Sequence, residues 1–319
     1  MILPASRQTL RAATATLKEA TFNRSKVLKP HKKGDPVPAR RQVRKPLRGE
    51  PSTATINERP LGGFDGEAEG RSEERPLRLL TFNIQVGIKT DRYRQYVTRG
   101  WKHVLPHTAR HENLRLIAEV VQQYDLVALQ EVDSGSIRSG FLNQVEYLAE
   151  EADFPFWYTQ TNRDLGVLAQ HGNGMLLRVR PQGLEDHKLP GRIPGRGAII
   201  VRLPYAGREL VVVQLHLSLG VRSREAQLQY LAQQLDGEEL VVVMGDLNSH
   251  MATDVLNSPL GELGLVHPEA PHATFPAWRP QLALDHILAS PTLNVTDHEV
   301  LPCHISDHLP IGVTLALAE

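Results

Sequence analysis

The chain predicts an α/β fold: two packed β-sheets with helices outside. Three observations lead there. Over residues 77–319, apolar segments of strand length alternate with amphipathic segments of helix length. The strand segments are near-continuous Val, Ile and Leu runs, as expected of strands covered on both faces. Five of those apolar segments deliver a polar group: Asn83, Glu131, His216, Asp246 with Asn248, and Asp307 with His308. A lone polar group beside a core costs free energy, so five of them predict one shared polar, metal-binding cleft.

In order, residues 77–84 read as strand. Residues 113–123 read as helix, with Leu114, Ile117, Val120 and Val121 on one side. Residues 126–130 are strand, and 141–151 helix. Residues 156–159, 174–179, 197–203 and 209–217 follow as strands. Residues 223–235 are helix and 240–245 strand. Residues 284–289 and 311–317 close the chain as strands. The segment 305–311 carries Asp307 and His308 into the last of these.

Residues 1–76 are read as a separate disordered basic arm and linker, and 77–319 as one catalytic domain. Residues 8–22 can form a short helix through Leu10, Ala13 and Leu17, marginal on its own. The stretch 29–74 is rich in Pro, Gly and charge and buries too little apolar surface to offset ordering entropy.

The 319 residues are 41% hydrophobic and 23% charged, with formal net charge zero. That balance hides an asymmetry: residues 1–50 hold 13 Lys/Arg against 3 Asp/Glu. Such an arm suits a nucleic acid or an anionic lipid surface, and a basic disordered arm explains it better than a transit peptide. No apolar run is long enough to span a bilayer. The single Cys303 excludes an intramolecular disulfide and a cysteine-based zinc site, and points to a reducing, cytoplasmic setting. A monomer is expected.

The residue types suit phosphoester hydrolysis. That reaction needs a cation to neutralise phosphate charge, a positioned water, and donors for the transition state. Glu131 is a hard oxygen donor for Mg²⁺, or Mn²⁺, and Asn83 offers a neutral carbonyl oxygen. Asp246 can orient or deprotonate water, Asn248 can donate to a phosphate oxygen, and His308 can act as acid or base. Asp285 can fix its tautomer.

The order Phe82-Asn83, Gln130-Glu131, His216-Leu217, Gly245-Asp246-Leu247-Asn248, Leu284-Asp285 and Ser306-Asp307-His308 resembles the endonuclease/exonuclease/phosphatase superfamily over residues 77–319. The resemblance implies a four-layer α/β-sandwich and Mg²⁺-dependent phosphoester hydrolysis. Carried over, Asn83 and Glu131 are metal-site residues with Asp307 near the metal. Asp246 and Asn248 handle the water and the phosphate, Asp285 and His308 form the acid/base pair, and His216 contacts the phosphate or leaving group. Asn173 resembles a phosphate-binding position. Members that cut DNA at abasic sites usually carry Tyr-x-Pro-Asn where this chain has Gln214-Leu215-His216-Leu217. The His version is similar to the sphingomyelinase, inositol-phosphatase and deoxyribonuclease branches, several of which have an Arg/Gln pair like Arg224 and Gln227 at a following helix N-terminus, a place suited to an anion. The opening Leu80-Thr-Phe-Asn83-Ile-Gln85-Val-Gly87 resembles bacterial relatives of a eukaryotic protein linked to lipid-anchor remodelling, which implies a phospholipid-like substrate.

Each residue also has a plainer reading. Asn83 alone suits a strand-end turn, Gly-Asp-Leu-Asn a turn or cap, and His216 a core histidine. Together these require several coincidences in a fixed order. His103, His107 and His111 share a helical spacing that Pro106 interrupts, which argues against zinc. Arg92, Tyr93, Arg94 and Tyr96 read as a solvated loop. Segments 86–108, 160–172 and 262–282 are the candidate specificity loops. Residues 77–319 hold 20 Lys/Arg against 27 Asp/Glu, which argues against a general DNA nuclease. A DNA or RNA nuclease is still the first alternative, and a catalytically silent binding module the second.

Overall fold

A computed structural model describes residues 52–59, 75–87, 109–164, 170–192, 195–249, 257–267 and 272–318. The expected arm over residues 1–50, the helix over 8–22, and His103, His107 and 92–96 lie outside these residues.

The described residues form two sheets. The strands are β1 (Ser52–Thr53), β2 (Asn57–Glu58), β3 (Leu77–Asn83), β4 (Leu126–Asp133), β5 (Phe156–Asp164), β6 (Gln170–Leu177), β7 (Gly183–Lys188), β8 (Gly197–Tyr205), β9 (Arg208–His216), β10 (Leu240–Asp246), β11 (Asp285–Ala289), β12 (Leu293–Val300) and β13 (Ile311–Leu317). One sheet has the order β1-β7-β8-β9-β10-β11, the other β12-β13-β3-β4-β6-β5-β2. The pairs β3/β4 and β9/β10 are parallel, so both sheets are mixed. The helices are α1 (Ala109–Val121), α2 (Gln144–Glu151), α3 (Val221–Gln234) and the single turn α4 (Pro259–Glu262).

Strand alternation sorts the side chains into layers. Leu79, Ala128, Met175, Ile199, Val212, Val242, Ile287 and Val313 form the core between the sheets. Their neighbours Leu80, Phe82, Val127, Leu129 and Leu176 pack outward against α1 and α2. Val211, Val213, Leu215, Val241, Val243 and Leu288 pack outward against α3 and α4. The result is a four-layer α/β-sandwich. Covering both faces of each sheet is what makes the strands apolar throughout, with full burial of each large aliphatic side chain contributing roughly 1.5–3 kcal/mol.

Local chemistry adjusts several boundaries. The helix expected from residue 141 begins at Gln144 because the Asn143 side chain accepts the backbone N–H groups of Val145 and Glu146. The helix expected from residue 113 begins at Ala109, and the Asn113 amide donates to the Gly87 carbonyl at 3.0 Å. Strands β7 and β12 were not foreseen; Gly-Leu-Glu-Asp-His-Lys and Leu-Asn-Val-Thr-Asp-His-Glu-Val are polar and partly exposed. Residues 52–59, expected to be disordered, are not: Ser52 and Thr53 pair with β7, and Asn57 and Glu58 pair with β5. Backbone pairing supplied there what apolar content does not.

Candidate active site

The alternation that buries the intersheet core runs one step past it. In β9, β10 and β11 the inward positions end at His216, Asp246 and Asp285. Strand register sets these side by side: Asp246 is opposite His216 on one flank and Asp285 on the other. In the facing sheet the inward positions end at Asn83, Gln130, Asn173 and Gln160, again in register. Two polar rows thus close one end of the sandwich.

Two backbone features aim the carboxylates. Gly245 has φ +147°, and a Cβ there would run into the Leu215 carbonyl oxygen, so β9 and β10 approach closely only with glycine. Glu131 has φ +56° and sits where the β4/β6 register shifts between Gln130 and Val132. Such a bulge re-aims a side chain.

Asp246 is the hub. Its Oδ2 accepts from Asn83 Nδ2 at 3.2 Å and lies 3.4 Å from His216 Nε2 and 4.0 Å from His308 Nε2. Its Oδ1 accepts the Asn248 backbone N–H at 2.9 Å. Asp285 Oδ2 accepts from His308 Nδ1 at 2.8 Å and from the Thr274 hydroxyl. Ser306 donates to the Asn83 carbonyl at 2.6 Å, which ties the 306–308 segment to the end of β3. Asp307 and His308 therefore stand in a turn ahead of β13, not on a strand as expected.

Burial pushes the Asp246 carboxyl well above its ordinary range, with His308 opposing and Asp285 and Glu131 adding to the rise. Burial pushes Asp307 up to about 6, against His308 and with Glu131. Burial disfavours charge on His308, but Asp285, Asp246 and Asp307 together outweigh it, Asp285 most, and raise that imidazole to about 10. His216 is held well below its usual value by burial and by the cations Arg196, His308 and His171.

These features fit a divalent cation. Buried carboxylates repel one another until a positive charge joins them. Asp285 Oδ1 is buried with no hydrogen-bond partner. Asp246, Asp285 and His308 offer ligand atoms within 4.8 Å of one another. Within that trio, His308 Nδ1 is already bonded to Asp285, so His308 faces the cleft through Nε2.

Several expected residues also spend side-chain atoms on nearby backbone groups. Asn83 Oδ1 accepts the Gln85 N–H at 3.2 Å. Asn248 Nδ2 donates to the Leu217 carbonyl at 2.9 Å. Asn173 lines the cleft, with its amide nitrogen held by Gln160 Oε1 and the Gly197 carbonyl. Arg224 does not line this cleft; its guanidinium donates to the Ser218 and Leu219 carbonyls and lines a neighbouring cavity. The sequence reading missed Arg196 and Thr274. Arg196 faces Glu131 and Asp246 electrostatically and lines, with His171 and Arg192, a cavity of about 690 Å³. An arginine ahead of an apolar strand carries no signal of its own, and Thr274 is 11 residues from the carboxylate it holds.

Comparison with known proteins agrees with this geometry. The chain is 31% identical over 266 residues to the uncharacterized protein YbhP of Escherichia coli (strain K12), covering 77% of this chain and 99% of that one. An endonuclease/exonuclease/phosphatase structure from Beutenbergia cavernae DSM 12333 is similar with a TM-score of 0.62 and 24% identity, covering 77% of this chain and 72% of that one. A mannosyl-6-phosphatase structure from Bacteroides thetaiotaomicron is similar with a TM-score of 0.56 and 17% identity, covering 76% of this chain and all of that one (100%). Residues 80–308, which span every residue of the two polar rows, match the Endonuclease/Exonuclease/phosphatase family, and the chain belongs to it.

Proposed function

We propose that this chain is a Mg²⁺-dependent phosphoester hydrolase, with Mn²⁺ as a substitute, acting on a small or phospholipid-like phosphoester. The observation that carries the reading is the convergence on Asp246 Oδ2 of Asn83, His216 and His308 at 3.2, 3.4 and 4.0 Å. Family membership supports the reaction class, and the likeness to a mannosyl-6-phosphatase supports a small phosphoester as substrate.

Glu131 and Asp307 would hold the cation, with Asn83 beside them, and the trio Asp246, Asp285 and His308 would face it rather than ligate it. The bound ion would supply charge neutralisation on the phosphate oxygens and help orient water. Asp246 orients the attacking water and takes its proton at Oδ2. His216, kept neutral by burial, and Arg196 contact the phosphate oxygens from the cleft wall. His308 keeps Nδ1–H on Asp285 and donates its Nε2 proton to the leaving oxygen. Asn248 holds Asp246 through its backbone N–H, and Asn173 fixes the wall opposite. The acidic balance of residues 77–319, 27 Asp/Glu against 20 Lys/Arg, favours a small substrate over a duplex.

The test is turnover by the full chain in Mg²⁺, Mn²⁺ or EDTA. The panel holds inositol phosphates, sugar phosphates, phospholipids, DNA, RNA and a chromogenic diester. Metal-dependent turnover lost in Glu131→Gln and Asp246→Asn is expected. Equal rates in EDTA, or full activity in both variants, would sink the mechanism. Cleavage of DNA or RNA alone would move the substrate to nucleic acid, with the basic arm as its grip.

A further inference from the structure

Four histidines come together where edge strands of the two sheets lie near each other. His286 follows Asp285 on β11 and so points to the opposite face of that strand from the catalytic row. His298 is on β12, the edge strand of the other sheet. His267 and His286 have ring centroids 5.1 Å apart, and His272 stacks on His298 at 5.2 Å. His298 and His286 both act electrostatically on His267, so the two pairs are neighbours. No residue of this group has a place in the hydrolytic reading.

We propose that His267, His286 and His298, with His272 available to complete the set, bind a transition-metal dication of the Zn²⁺ type. The protonation of the rings supports this. His286 Nε2 lies 3.0 Å from the Ser249 carbonyl oxygen. A carbonyl only accepts, so Nε2 carries the hydrogen and the neutral ring presents a lone pair at Nδ1. That Nδ1 is buried without a hydrogen-bond partner, and so is Nε2 of His267. Burial also holds the His267 ring down at about 4. Neutral imidazole is the ligating form. Two buried, unpartnered ring nitrogens within one histidine group are what a cation would satisfy.

The chemistry differs from that of the catalytic cleft. Carboxylates suit Mg²⁺ and Mn²⁺, whereas imidazoles suit Zn²⁺, Ni²⁺ and Cu²⁺. The group is open rather than closed. Among the described residues only Asp246, Asp285 and His308 put three ligand atoms within 4.8 Å, so the histidine rings must turn to close on an ion. His272 is exposed and His267 and His298 are half-buried, which gives both the room and an entry path.

Cobalt(II) is the probe, because tetrahedral nitrogen ligation gives strong visible bands and octahedral oxygen ligation gives weak ones. The full chain carries Glu131→Gln to weaken the carboxylate centre, and is titrated after EDTA treatment. One Co²⁺ per chain with strong bands, displaced by Zn²⁺, is expected. Adding His267→Gln and His298→Gln should remove the bands and weaken binding at least about tenfold. Circular dichroism in EDTA checks folding; if the combined variant does not fold, His298→Gln alone supplies the same readout. Weak octahedral bands only, no binding, or bands unchanged by the histidine substitutions overturn the proposal. The outcome is independent of hydrolytic activity, so failure here leaves the catalytic reading intact.

Discussion

Replacing Asp285 with Asn removes the charge behind His308 while keeping nearly the same shape. Asp285 Oδ2 receives the His308 Nδ1 hydrogen at 2.8 Å, and this carboxylate is the largest influence raising an imidazole that burial alone would lower. An amide can present its nitrogen instead of its oxygen to Nδ1, and then the wrong tautomer is favoured. Losing a positioned general acid costs about 10²–10⁴ in rate, roughly 3–5 kcal/mol of barrier. The loss depends on the leaving group. With an alkyl leaving group, which needs a proton, kcat should fall by about that full range. With an activated aryl leaving group, which departs as the anion, it should fall less than about tenfold. The alkaline limb of the pH–rate profile should also move. His308 is active while protonated, so activity is present below its folded value of about 10 and lost above it; in Asp285→Asn that loss should begin nearer neutrality. The assay compares the two esters from pH 5 to 11 under saturating Mg²⁺. Equal losses for both leaving groups, or an alkaline limb that stays in place, would refute the acid role.

Further outcomes follow from the same geometry. Glu131→Gln should abolish Mg²⁺ binding seen by calorimetry. It should not lower the melting temperature in EDTA, because Glu131 adds to the repulsion on Asp246 and Asp307; a clear drop would show it is structural instead. Gly245→Ala should destabilise by about 3 kcal/mol or more in urea denaturation, since it meets both φ +147° and the Leu215 carbonyl. Wild-type stability within about 1 kcal/mol would mean that β9 and β10 separate easily. His187 is fully buried with its Nδ1 2.9 Å from the Tyr230 hydroxyl, and burial lowers its pKa against the pull of Glu185. A folded value below the unfolded one means its stabilisation is complete above about pH 6.5 and lost as pH falls. Unfolding free energy should therefore decline below pH 6.5 less steeply in His187→Asn than in the parent chain, and identical slopes would remove His187 as the cause.

Much of the polar row at the sheet ends could be read from the chain because the sheet's period of two carries it. Once Leu240, Val242 and Met244 face inward, Asp246 must as well, and the same count places His216 and Asp285. The family resemblance added roles, and residues 80–308 bear out the family. The reading failed where geometry departs from that period. Asp307 and His308 stand in a turn held by Ser306, so they owe their place to a hydroxyl on the Asn83 carbonyl and not to strand alternation. Arg224 was assigned to an anion from its place near a helix start, yet it spends its guanidinium on the Ser218 and Leu219 carbonyls. Strands β7 and β12 were missed because a half-exposed strand need not be apolar.

The sequence by itself determined the fold class, the apolar strands and the residue types of the polar row, because periodicity and burial act between near neighbours. Only the tertiary structure decided which ends meet. It set His216, Asp246 and Asp285 in one register, turned Glu131 on a bulge, brought Arg196 into the cleft, and gathered His267, His272, His286 and His298 from separate segments. These are contacts between residues far apart in the chain. They follow from how two sheets pack and which edges adjoin, which no local pattern encodes.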